Sequence, residues 1–148
     1  MNKILVKQAE ELLECEDKLS AICNVSALLK QEIDNINWVG FYFYKKGKLV
    51  LGPFQGKPAC TEIAIGKGVC GTAYQKKMLL NVNDVTRFEG HIVCDPESCS
   101  ELVAPLMYNG KIFGVLDCDA PIFRRFGSEE EETFEAVAEL VAKKLADN

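Results

Sequence analysis

Between Ile36 and Tyr44 the side chains alternate, with Val39, Phe41 and Phe43 on one face and Trp38, Gly40, Tyr42 and Tyr44 on the other. A period of two is the signature of a β-strand. One face is plain hydrocarbon suited to a core, while the other presents aromatics with polar tips, which tend to stand at partly wet pockets. A chain holding this strand needs a sheet with two differently furnished sides.

The flanking patterns say what covers the sheet. Residues 3 to 34 carry apolar side chains at Leu5, Ala9, Leu12, Leu19, Ile22, Cys23, Ser26, Leu29 and Ile33, the three-to-four spacing of an amphipathic helical region. Glu14-Cys15-Glu16-Asp17 divides it into two helices, and Cys15 and Cys23 read as small buried thiols. After the first strand, Lys46-Gly47 turns the chain into a second, Lys48 to Pro53. A Gly- and Pro-punctuated loop from Gly56 to Gly68 holds a short strand at Glu62 to Ile65. A helix from Val69 to Met78, a strand from Leu79 to Val82 and a long loop through Ser98 follow. Loops of that length in a compact domain usually either perform function or are disordered, and Cys94 in this one favours function.

Strands at Ser100 to Met107 and Ile112 to Asp119 are joined at Asn109-Gly110, a strong hairpin signal. The last helix runs from Glu129 to about Leu145, with Ser128 as N-cap and Glu131 completing a capping box. Helices at both ends with strands between them predict an α+β domain, an antiparallel sheet with helices packed on it. At 148 residues and 48% hydrophobic content the chain makes one domain, residues 1–148.

The net charge of −5 argues against nucleic-acid or anionic-membrane partners, which are bound through excess Lys and Arg. Neither a signal-peptide core nor an apolar run of membrane-spanning length is seen, so a cytoplasmic location is expected. In that compartment seven cysteines read as metal binding, redox chemistry or buried packing rather than a lasting disulfide framework.

Position by position, Asp117 and Asp119 project from one face of a strand, where they need water or a cation, an ammonium or a metal ion. Cys118 between them points to the core. A strict Asn109-Gly110 loop sets Leu102 opposite Asp117 and turns Glu101 away; a three-residue loop with a bulge, or a bulge at Pro105, brings Glu101 beside the aspartates. The bulged register is predicted. Gly66-Lys67-Gly68-Val69-Cys70-Gly71 fits G-x-G-x-x-G but lacks the βαβ setting of a dinucleotide site. Its glycines instead bring a helix N-terminus close to a ligand carboxylate, and Cys70 there is expected to have a lowered thiol pKa. His91, Cys94 and Cys99 do not have zinc spacing, and no C-x-x-C occurs. No metal is expected, and His91 reads as a loop residue.

Five strings, Trp38-Val39-Gly40-Phe41-Tyr42, Gly52 to Cys60, Gly66 to Ala73, Gly90-His91-Ile92-Val93-Cys94-Asp95 and Gly114 to Asp119, closely resemble the free methionine-(R)-sulfoxide reductases, which are single GAF domains. The resemblance covers nearly the whole chain, including three cysteines at this spacing that generic GAF domains lack. It implies that Cys94 is the nucleophile, with Cys70 and Cys60 as resolving candidates, and that Glu101, Asp117 and Asp119 hold the substrate. Trp38 and Tyr42 would enclose the substrate methyl group. It also implies terminal helices on one face of the sheet, with pocket-forming loops and a short helix on the other. No bound cofactor is implied; the reductant is an external dithiol, thioredoxin, and a homodimer is expected. Cys118 stands where an aliphatic is more usual, and Cys99 is an additional thiol near the nucleophile.

The chemistry agrees with the residue types. A sulfoxide sulfur becomes electrophilic when its oxygen is protonated, and crowded carboxylates retain a proton because they cannot all ionise. Two other readings use the same residues: a GAF module that senses a small ligand without turnover, and a thiol redox sensor.

Overall fold

The computed structural model describes residues 1–147. Helices α1 (Lys3–Leu12) and α2 (Lys18–Glu32) precede strands β1 (Trp38–Lys45), β2 (Lys48–Gly56) and β3 (Glu62–Ala64). Helix α3 (Gly68–Lys76) leads to β4 (Leu80–Val82), a single 3-10 turn at Val85–Arg87, the hairpin β5 (Ser100–Tyr108) and β6 (Lys111–Ala120), and finally α4 (Ser128–Ala146). The predicted elements are all present. Their order across the antiparallel sheet is β3-β2-β1-β6-β5-β4, so the two-faced strand β1 lies near the middle beside β6.

Each face of β1 does what its side chains allow. Val39 and Phe41 join Leu102, Leu106, Leu116 and Cys118 in a core closed by α1, α2 and α4 through Leu5, Ile22, Leu29, Phe134 and Val141. Full burial of such side chains stabilises by roughly 1.5–3 kcal/mol each. Trp38 and Tyr42 face the other way, into a smaller cluster with Val69, Cys70, Ala73, Val103 and Val115 beneath α3. Among the described residues no helix is long and apolar enough to cross a membrane.

Three local expectations are corrected. The buried stripe of α2 is Ala21, Ile22, Val25, Ser26 and Leu29, which rotates Leu19 and Cys23, an i, i+4 ridge, into solvent. Leu19 is 64% exposed, and neither Cys23 nor Cys15, in the turn between the helices, is a buried thiol. The cap of α4 sits one residue earlier than predicted: Gly127 is the N-cap, and its N–H donates to Glu130 Oε1 at 2.7 Å. Glu131 is engaged elsewhere, accepting from Asn81 Nδ2 of β4 at 2.8 Å.

The hairpin register is bulged, though not where expected. Asn109 and Gly110, both at positive φ, make a strict two-residue turn with Tyr108 opposite Lys111. One residue later β6 carries the extra residue, Phe113, so that Leu106 pairs with Gly114 and Glu101 pairs with Asp119. The bulge lies there because Gly114 tolerates a φ of +155° and because a Cβ at that position would collide with the Tyr42 carbonyl of β1.

Candidate active site

Three strands deliver the acids to one spot. Glu101 of β5 lies directly across from Asp119 of β6, and β1 brings Gly40 opposite Asp117 and Trp38 opposite Asp119. Gly40 has no side chain on this face, and the Trp38 ring fills the space: a Cβ on Gly40 would stand 2.8 Å from its Cη2. Trp38 is thereby stacked between Phe54 at 5.2 Å and Tyr42 at 6.0 Å, centroid to centroid. The two aromatics and the three acids border one small cavity of about 50 Å³, with Cys70, His91 and Cys94 also in its wall.

Burial controls the charge state of the acids. Asp117 and Asp119 are both held well above the ordinary carboxylate range, first because they are out of water and then because each faces the other acids. Asp117 Oδ1 is buried with no hydrogen-bond partner. The Tyr42 hydroxyl is pushed up by burial and then by Asp117. Raised acids of this kind favour keeping a proton, and a cation beside them would favour its release.

Cys70 departs from expectation. Gly66 and Gly68 adopt positive φ, and Gly71 packs against the Ala64 carbonyl, so the start of α3 presses down on the sheet. That places Cys70, 4% exposed, with Sγ 3.9 Å from Glu101 Oε2. Its thiol is raised well above the usual value rather than lowered: burial dominates, and Asp117, Glu101 and Asp119 add to it. A helix N-terminus contributes a fraction of a charge, which desolvation and three nearby acids outweigh.

Cys94 lies in the loop between Val82 and Ser100, and its sulfur is bonded to that of Cys60, with the two Cα atoms 5.9 Å apart. Of the two partners the sequence left open, Cys60 is the one joined to Cys94; Cys70 is free. Both sulfur-bearing loops are tied down by residues from β1 and its approach. Tyr42 donates through its hydroxyl to the Cys60 carbonyl at 2.9 Å, and Trp38 Nε1 donates to the Lys57 carbonyl at 3.1 Å. On the other side, Asn37 Nδ2 donates to Asp95 Oδ2 at 3.0 Å and to Ser98 Oγ at 3.1 Å, while its backbone N–H reaches the Asp119 carbonyl at 2.9 Å. A surface ion pair, Lys57 to Glu97 at 3.0 Å, spans the two loops.

Every candidate site residue thus borders the cavity or carries a sulfur beside it. Sequence reasoning missed Asn37, whose only signal was a polar residue just ahead of a strongly apolar strand. It also placed His91 merely in a loop; His91 lies in the cavity wall, with Nε2 3.7 Å from Glu101 Oε1. Cys118 is fully buried on the opposite, helical side, as its alternation required, and Cys99 is half-buried near its strand start.

Comparison with known proteins agrees with the fold. The GAF domain family matches residues 3–145. Protein YtsP of Bacillus subtilis is 48% identical over 147 residues, covering 97% of this chain and 90% of that protein. The free methionine-R-sulfoxide reductase of Escherichia coli is 46% identical over 128 residues, covering 86% of this chain and 78% of that one. Among solved structures, fRMsr of Staphylococcus aureus in complex with substrate superposes with a TM-score of 0.89 at 49% identity, covering 97% of this chain and 94% of that one.

Proposed function

We propose, since this chain belongs to the GAF-domain family and to the branch of it named free methionine-R-sulfoxide reductase, that it reduces free methionine-(R)-sulfoxide to methionine with its own thiols. The observation that carries this reading is that Cys94, bonded to Cys60, borders the same cavity as Glu101, Asp117 and Asp119.

The substrate ammonium sits among the three acids, whose burial and crowding a cation would offset. Trp38 and Tyr42 enclose the methyl group. A proton retained by one of the crowded acids passes to the sulfoxide oxygen, and the Cys94 thiolate attacks the sulfur. Methionine departs and the oxygen remains on Cys94 as a sulfenic acid. The Cys60 thiol then attacks the Cys94 sulfur, forming the disulfide and releasing water. An external dithiol, thioredoxin in this reading, takes the place of Cys60 by exchange and leaves oxidised, restoring both thiols. No bound cofactor enters.

Two features support Cys60 over Cys70 as the first resolving thiol. Cys60 is within bonding reach of Cys94, and Cys70 is a buried, protonated thiol facing acids. Selectivity for the free amino acid follows from the same acids, because a peptide-bound residue has no α-ammonium to offset them. The cytoplasm, whose thioredoxin system supplies the dithiol, is the location this chemistry needs. The homodimer expected from the family would use the terminal helices, where Ile4 and Leu19 are exposed.

Thioredoxin-coupled turnover tests the reading. Free methionine-(R)-sulfoxide is expected to be reduced, with the S epimer and peptide-bound methionine sulfoxide far slower. Cys94→Ser abolishes turnover, and Cys60→Ser gives a single turnover that stops at a dimedone-reactive sulfenic acid. Activity surviving in Cys94→Ser would end the proposal.

A further inference from the structure

The disulfide leaves one site thiol unused. Cys70 Sγ, a carboxylate oxygen of Glu101 and one of Asp117 all lie within 4.8 Å of one another, all three residues buried, and each comes from a different element: α3, β5 and β6. A cluster of acids alone would say little. Here a second observation stands beside it: Asp117, 5% exposed and part of the cavity wall, has a buried Oδ1 with no hydrogen-bond partner.

With zinc–sulfur and zinc–oxygen bonds of about 2.3 and 2.0 Å, donor atoms around a tetrahedral ion stand about 3.3–3.5 Å apart. Cys70 Sγ is 3.9 Å from Glu101 Oε2, so small side-chain rotations close the set on an ion. A thiolate with two carboxylates suits a borderline-soft ion such as zinc, not magnesium or calcium, which require oxygen alone. His91, with Nε2 3.7 Å from the other oxygen of Glu101, is placed as the outer partner that orients that ligand.

We propose that Cys70, Glu101 and Asp117 bind one zinc-type divalent ion in the disulfide-bonded protein. The thiol proton of Cys70 leaves for solvent as the metal–sulfur bond forms, and no electron is transferred. The ion takes no part in the reaction; it occupies the cavity that otherwise admits substrate. Competition with methionine sulfoxide rests on the function proposed above, whereas the metal site itself rests only on the three side chains.

The test uses the oxidised protein carrying Cys15→Ser and Cys23→Ser, which removes the two exposed thiols. Titration with cobalt(II) is expected to produce a thiolate-to-cobalt charge-transfer band that saturates at one ion per chain and is erased by zinc(II). Cys70→Ser should remove the band, and Asp117→Asn should weaken metal binding at least about 10-fold. No band, a band that survives Cys70→Ser, or unchanged affinity in Asp117→Asn would each overturn the site. Free methionine sulfoxide is expected to raise the cobalt concentration needed. An intact band insensitive to methionine sulfoxide would support the metal site and count against the substrate assignment, which separates the two failures.

Discussion

Asn37→Ala is a perturbation whose size can be worked from the geometry. The side chain donates to the Asp95 carboxylate at 3.0 Å and to Ser98 Oγ at 3.1 Å, pinning the loop that bears Cys94 to the strand that bears Asp119. A hydrogen bond to a charged group is worth about 1.5–3 kcal/mol net and a neutral one about 0.5–1.5. Against that, alanine also removes Oδ1, a buried acceptor with no partner, whose desolvation costs about 1 kcal/mol or more. The net loss is about 2 kcal/mol, a factor of roughly 30 in the docked population of the loop.

The effect should depend on redox state, because the Cys60–Cys94 bond tethers the same loop when oxidised. In the reduced protein Asn37→Ala is expected to speed proteolytic nicking between residues 83 and 99 and to lower kcat/KM for methionine sulfoxide by up to roughly 30-fold. Nicking of the oxidised protein should be nearly unchanged. Equal acceleration in both redox states, or a kcat/KM indistinguishable from wild type, would refute the assignment of Asn37 as the residue that positions the nucleophile loop.

The acids and the bulge give two further outcomes. Asp117→Asn should raise the melting temperature of the ligand-free protein by about 2–4 °C, or about 1 kcal/mol, since it removes a buried acid crowded by others, while kcat/KM falls steeply; a lowered melting temperature would contradict the crowding. The sign with pH follows: Asp117 and Asp119 have folded-state pKa values raised above their unfolded ones. Wild-type stability is therefore full below pH of about 4 as far as these groups go, and falls as pH rises through the folded-state values. Thermal melts across pH should show this slope, reduced in Asp117→Asn. Gly114→Ala must relieve a collision with the Tyr42 carbonyl and with Phe43 Cα at 2.9 Å. It is expected to cost roughly 3 kcal/mol and about 6–12 °C in melting temperature, and a neutral outcome would mean the β1–β6 contact is looser than described.

Much of the molecule was legible from residue order because the determining forces act locally. Periods of two and of three to four residues state which face of β1, α1 and α4 meets hydrocarbon, and Asn109-Gly110 sets its turn through backbone preference alone. The even register that joins Glu101 to Asp119 was one of two the hairpin allowed, and the predicted bulged one is the one found. The position of the bulge was not legible, because it answers to how closely β1 approaches Gly114.

Tertiary structure alone decided three matters. Which of Cys60 and Cys70 meets Cys94 depends on two loops that share no pattern, brought together by Tyr42, Trp38 and Asn37. The Cys70 thiol is raised rather than lowered because desolvation and acids from β5 and β6 exceed the influence of its own helix. Leu19 and Cys23 face solvent because neighbouring elements, not the helix itself, select which stripe of α2 is covered. Short-range preferences can be read along a chain; burial and through-space charge belong to residues that sequence holds far apart.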